Sequence, residues 1–148
     1  MEDLLNQSSV YQFKVVRQMV REPNLTAKSS KDVYEHFRFM DQYDREHMVR
    51  VDLNRATEIL GHEHVSIGTD NGTIVGPKEV FRGALLSGAS SIILVHNHPS
   101  GKTNPSSEDK QVAQRLQHVG VELDLQLLDF VIIGRNGNYY SFSENELL

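Results

Sequence analysis

The chain has 148 residues, no cysteine and a formal net charge of −5, with 39% hydrophobic and 24% charged residues. That length suits one domain with a continuous core of its own, and the missing cysteines exclude disulfides, thiolate metal sites, a cysteine nucleophile and the zinc nucleobase deaminases. The acidic balance weighs against a nucleic-acid backbone as ligand, which favours a basic face. The acidic start Met1-Glu2-Asp3 is no secretory signal and no run nears the ~20 apolar residues of a membrane span, so a cytoplasmic protein without membrane contact is expected.

Residues 8–21 carry Tyr11, Val15, Met19 and Val16, Val20 at helical spacing, and Pro23 and Asn24 stop the run. The expectation is an N-terminal helical extension over residues 1–28, ahead of one domain over 29–148. Ser30 is placed to cap a second helix, with Val33, Tyr34 and Phe37 on one side and His36 as a surface or packing residue. Residues 47–53 read as a strand, 52–55 as a turn, and 57–69 as a second strand bent at Gly61, the two pairing as an antiparallel hairpin. The second strand holds His62-Glu63-His64, a His-x-His with a carboxylate between. No Ser-x2-Asp follows it, so an edge strand showing these residues to solvent is the expected reading.

Pro77 fits the first position of a helix to Ser87 that Gly88 ends, with Val80, Phe81, Ala84 and Leu85 as its apolar stripe. Residues 91–95, Ser-Ile-Ile-Leu-Val, form a short β-branched run that reads as a buried strand. Ser106 opens the next helix, with Val112, Ala113, Leu116 and Val119 inward and Gly120 at its end. His118 then lies near the C-terminus, where a cationic imidazole meets the helix dipole favourably. Residues 125–133 make a further buried strand. Asn136-Gly137 signals a hairpin turn, and residues 138–142 return. Paired strands alternating with crossover helices predict an α/β fold.

Between the strand at 91–95 and the helix at Ser106 stands the pattern His96-x-His98-x7-Ser106-x2-Asp109. In an extended chain residues i and i+2 point the same way, so a strand end can aim His96 and His98 at one point. Asp109, near the start of the helix, can bring a carboxylate to the same point. Two imidazoles, one acid and one open position for water form a ligand set typical of catalytic zinc. Residues 99–105, with two prolines and a glycine, form an exposed loop beside it.

This segment resembles the JAMM metalloprotease motif of the MPN fold, and more closely the RadC-like branch of that superfamily. The blocks Val65-Ser66-Ile67-Gly68-Thr69, Pro77-Lys78-Glu79-Val80-Phe81-Arg82, His96-Asn97-His98-Pro99-Ser100-Gly101 and Pro105-Ser106 carry the resemblance, which runs from about Ser29 to the C-terminus. It implies a single MPN (JAB/JAMM) domain with a mixed β-sheet flanked by helices. Longer RadC proteins have an N-terminal helix-hairpin-helix domain for which this chain has no room. They also often carry Asp-His before the last apolar strand, where this chain has Asp129-Phe130.

The resemblance further implies a glutamate ahead of the first core strand as general base, and Glu46 fits that place. It implies Ser106 as hydrogen-bond donor to the oxyanion, a role that competes with capping the helix. The expected activity is Zn2+-dependent hydrolysis of a peptide or protein conjugate, with His96, His98 and Asp109 as ligands. The alternatives are a non-catalytic metal-binding accessory protein in DNA repair or DNA metabolism, and a metal held for stability alone.

Overall fold

A computed structural model describes residues 25–68 and 75–148. The helix expected over residues 8–21 lies outside the described residues. In chain order the described part runs α1 (Ser30–Phe37), a 3-10 turn (Arg38–Gln42), β1 (His47–Leu53), β2 (Ile59–Ile67), α2 (Pro77–Ser87), β3 (Ser91–Asn97), α3 (Ser107–Glu122), β4 (Gln126–Ile133) and β5 (Tyr139–Ser141).

The helix starts follow local chemistry. Ser29, not Ser30, caps α1: its hydroxyl accepts the Asp32 N–H at 3.1 Å and Asp32 returns the bond to the Ser29 N–H at 3.0 Å. This reciprocal pair satisfies two N–H groups that the helix leaves open. Ser30 sits inside the first turn, and its hydroxyl donates to Glu144. Pro77 opens α2 and Gly88 closes it at φ 70°, as expected for a left-handed stop. Gly120 does not end α3, which continues to Glu122. A Cβ on Gly120 would stand 2.6 Å from the Leu125 carbonyl oxygen, so glycine serves the close approach of the chain entering β4. His118 is consequently not in the last turn, and its expected pairing with the helix dipole falls away.

The five strands form one mixed sheet in the order β2-β1-β3-β4-β5. Only β3 and β4 run parallel, and α3 makes the crossover between them. The hairpin β1–β2 is present, with Asp52 and Leu53 inside β1 rather than in a turn. Its turn lies further on, where the Asn54 side chain accepts the N–H groups of Ala56 and Glu58. The pairing register slips beside Gly61, where Asp52 faces Gly61 but Leu53 faces Ile59.

Alternation along the strands divides the core in two. One face sends Met48, Ile92, Leu94, Phe130 and Ile132 against α2 and α3. The other sends Val49, Val51, Ile93, Val95 and Val131 against α1. β3 is buried at every residue because it has strands on both sides and helices on both faces. Each such apolar side chain contributes about 1.5–3 kcal/mol relative to exposure. The centre of this frame is therefore rigid, and its C-terminal end carries His96.

Candidate metal centre

β3 delivers His96 and Asn97, and the chain leaves the sheet at His98. The two imidazole rings lie 5.0 Å apart, nearly perpendicular. Each Nδ1 is 2.8 Å from a backbone carbonyl, His47 for His96 and Lys102 for His98. A carbonyl only accepts, so both Nδ1 atoms carry the proton and both neutral rings present Nε2 as a lone pair. Backbone anchoring of Nδ1 is the usual support of a metal-binding histidine.

Both Nε2 atoms face Asp109, at 3.6 Å for His96 and 3.2 Å for His98. The start of α3 fixes this carboxylate. Asp109 Oδ2 accepts the Ser106 N–H at 2.8 Å, and the Asp109 N–H donates to the Ser106 hydroxyl at 3.0 Å. With Nδ1–H spent on Lys102, a neutral His98 would turn one lone pair against another at Asp109 Oδ2. A proton or a metal ion between them makes the contact attractive.

Glu46 precedes β1 and completes the group, its Oε2 lying 3.9 Å from His96 Nε2. One nitrogen of each imidazole and one oxygen of Glu46 fall within 4.8 Å of one another. Glu46 and Asp109 thus approach the same two rings, and burial divides them. The Asp109 side chain is 6% exposed and the Glu46 side chain 56%. Two imidazole nitrogens and a carboxylate oxygen suit a divalent ion of borderline hardness.

The titration directions follow from this packing. Burial lowers the His96 pKa against the opposing pull of Asp109. Burial also disfavours charge on His98, but the Asp109 hydrogen bond, the Lys102 carbonyl and the Asp109 charge outweigh it and raise its pKa. At Asp109 burial acts upward, and the His98 bond, the Ser106 N–H and the His96 charge together bring the pKa down. The Ser106 hydroxyl adds to that depression, and its oxygen caps the helix.

Asn97, which lies between the two histidines and outside the spacing pattern, also shapes the site. Its side chain accepts the His47 N–H at 2.7 Å and donates to the Arg45 carbonyl at 2.9 Å, bracketing Glu46. Gly68 donates its N–H to the Glu46 carbonyl at 2.7 Å. The base candidate is therefore tied at the backbone to β3 and to the end of β2. The signal for Asn97 in the sequence is a polar amide just after the apolar run 91–95, and in the fold this residue is 1% exposed.

The centre opens into a cleft of about 950 Å³ that also takes in Ser106 and residues of the irregular 99–105 loop. The His62-Glu63-His64 stretch does not converge. Glu63 pairs with the buried Arg50 at 2.8 Å on one face of the sheet. On the other face, the His62 ring meets Phe37, and His64 Nδ1 lies 3.2 Å from His47 Nδ1. His36 Nε2 lies 3.1 Å from the Thr26 carbonyl, a packing contact. Phe130, at the place of the histidine in RadC-like proteins, is fully buried; its ring stacks on Phe142 and has its centroid 6.3 Å from that of His96.

Comparison with known proteins agrees with this architecture. The family described as RadC-like JAB domain matches residues 27–147. A UPF0758 protein of Chlorobaculum tepidum is 38% identical over 143 residues, covering 95% of this chain and 64% of the relative. A UPF0758 protein of Chlorobium phaeovibrioides is 43% identical over 130 residues, covering 86% of this chain and 57% of the relative. One of Methanosarcina mazei is 40% identical over 136 residues, covering 89% and 59%. The chain thus spans about three-fifths of the length of these relatives. The sheet, the helix that crosses it and the histidines at its end are those of an α/β JAB domain, and the chain belongs to the RadC-like JAB domain family.

Proposed function

We propose that this chain is a zinc-dependent hydrolase of the JAMM type, cleaving peptide or isopeptide bonds in a peptide or protein conjugate. The observation that carries the reading is the convergence of His96, His98, Asp109 and Glu46, with both Nδ1 atoms anchored and both Nε2 atoms aimed at the acids. His96, His98 and Asp109 would hold the ion, and zinc so held lowers the pKa of water toward ~7 and polarises a carbonyl. Glu46, exposed on the cleft side, accepts the proton of the attacking water and returns it to the leaving amine. Ser106 directs its hydroxyl hydrogen bond to the developing oxyanion, a donor worth about 3 kcal/mol where such groups have been removed.

Glu46→Gln separates catalysis from metal storage, because it keeps the shape and removes the base. Zinc content and thermal stability should stay near those of the parent, while hydrolysis of peptide and isopeptide conjugates falls about 100-fold or more. Elemental analysis of His98→Ala should show the metal lost. Full zinc content in both His96→Ala and His98→Ala would remove the site. Tight DNA binding at physiological salt, with no conjugate cleaved, would replace the hydrolase by an accessory role in DNA metabolism.

A further inference from the structure

We infer that the cleft reads a carboxylate about three residues away from the scissile bond of an extended peptide, through Arg115 on α3, with an apolar side chain lodged between. The inference takes from the proposed function only the position of the scissile bond at the His96–His98 end.

One side of the cleft is a face of α3. Asp109, Val112 and Arg115 all line it, at successive spacings of three residues. Travelling from the metal centre along that helix, a ligand meets first the acid, then a half-buried valine, then a guanidinium. Met48 and Val75, both buried, add apolar surface to the same cleft near Val112. At 1.5 Å per residue Arg115 stands about 9 Å along the axis from Asp109. An extended peptide covers that distance in about three residues at ~3.3 Å each. A volume of about 950 Å³ holds such a segment.

Among the described residues Arg115 has no ion-pair or side-chain hydrogen-bond partner. Its helical neighbours at i±3 and i±4 are Val112, Gln111, His118 and Val119, so the helix supplies no carboxylate of its own. Lys102 lines the same cleft, and its ammonium group has no ion-pair partner among the described residues. The remaining acid there, Glu108, lies near the start of α3, two turns from Arg115, and accepts the Ser107 hydroxyl. Among the described residues that line the cleft, Arg115 is the charged group farthest along α3 from Asp109, and a guanidinium recognises a carboxylate with paired donors.

The carboxylate can come from an acidic side chain or from the C-terminus of the peptide, and the test separates the two. Fluorescein-labelled peptides with an apolar centre would be titrated against the zinc-loaded full chain by fluorescence anisotropy, with cleavage followed on the same samples. One peptide is amidated and carries Glu three residues from the central amide, one carries Gln there, and one ends at that position with a free carboxylate. At least one carboxylate peptide should bind about tenfold tighter than the Gln peptide, the scale of a hydrogen bond to a charged group. Arg115→Ala should abolish the difference, and Arg115→Glu should reverse it in favour of a Lys peptide. Equal binding of all three peptides, no binding of any, or a preference that survives Arg115→Ala overturns the inference. A preference without cleavage keeps the cleft reading and counts against the hydrolase, whereas cleavage without preference does the opposite.

Discussion

Two buried polar residues show how single side chains hold this site and its frame. Asn97 bridges His47 and Arg45 and so fixes the backbone on either side of Glu46. Asn97→Ala leaves a buried donor and acceptor unmet, at about 1–3 kcal/mol for each group. Unfolding in urea should show that loss, and hydrolysis should fall further than zinc content does, because the base moves while His96 keeps its strand. Asp129 plays a structural part: its carboxylate accepts the N–H groups of Phe130 and Ser143 and the Ser141 hydroxyl, tying β4 to β5. Burial raises its pKa despite these bonds. Its contribution is thus full below the unfolded value near 3.8 and declines as pH rises through the raised folded value. Asp129→Asn keeps two of the three acceptor bonds and cannot ionise. It should cost under ~1 kcal/mol at neutral pH and lack the gain in stability that the parent draws from this carboxyl as pH falls toward 3.8, whereas Asp129→Ala costs about 2–4 kcal/mol. The same gain at low pH in Asp129→Asn as in the parent would refute the assignment.

At the scale of elements, the site is the meeting of a strand end, a helix start and the lead into a neighbouring strand. Ser106 and Asp109 aim the acid through the same two bonds that begin α3. The far end of α3 is held as tightly, since Gly120 lets the helix meet the chain entering β4. Gly120→Ala is instructive because two effects oppose. Alanine favours a helix by about 1 kcal/mol, but its Cβ would meet the Leu125 carbonyl at 2.6 Å. Displacing backbone costs more, about 1–3 kcal/mol, so chemical denaturation should show net destabilisation. Equal or greater stability would mean that α3 and β4 adjust freely.

For the molecule as a whole, the apolar layers on either side of the sheet are independent of any ion, and metal should tune stability without being needed for folding. Chelated protein should keep its near-UV and far-UV circular dichroism. Zinc at 100 times its Kd should add about 2.7 kcal/mol, and His96→Ala should lose that increment. The increment should also grow with pH. In metal-free protein the raised His98 pKa gives stability that is full below 6.5 and lost as pH rises through the folded value. The lowered Asp109 pKa gives stability present above 3.8 and lost as pH falls through its folded value. Zinc displaces the His98 proton, so alkaline pH removes its competitor. Melting scans from pH 5.5 to 8.5 with and without zinc check this, and an increment that shrinks with pH would contradict it. Among the described residues no helix is long and apolar enough to cross a membrane.

The α/β class, most element positions and the placement of His96, His98 and Asp109 at a strand end and a helix start are legible in the order of residues. These rest on local rules: alternation in a strand, a proline at a helix entry, a serine and an acid three residues apart. The same rule points to Ser29 as the cap of α1, since Asp32 stands three residues on, whereas Val33 holds that place after Ser30. Gly120 reads as a stop until β4 lies against it. Glu46 comes to lie beside the histidines through the folded sheet. It lies 50 residues from His96 in the chain, and antiparallel pairing of β1 with β3 closes that distance. The same pairing separates His62, Glu63 and His64 onto two faces of the sheet. Spacing along a chain carries chemistry only within one element, and convergence across elements is set by register and packing.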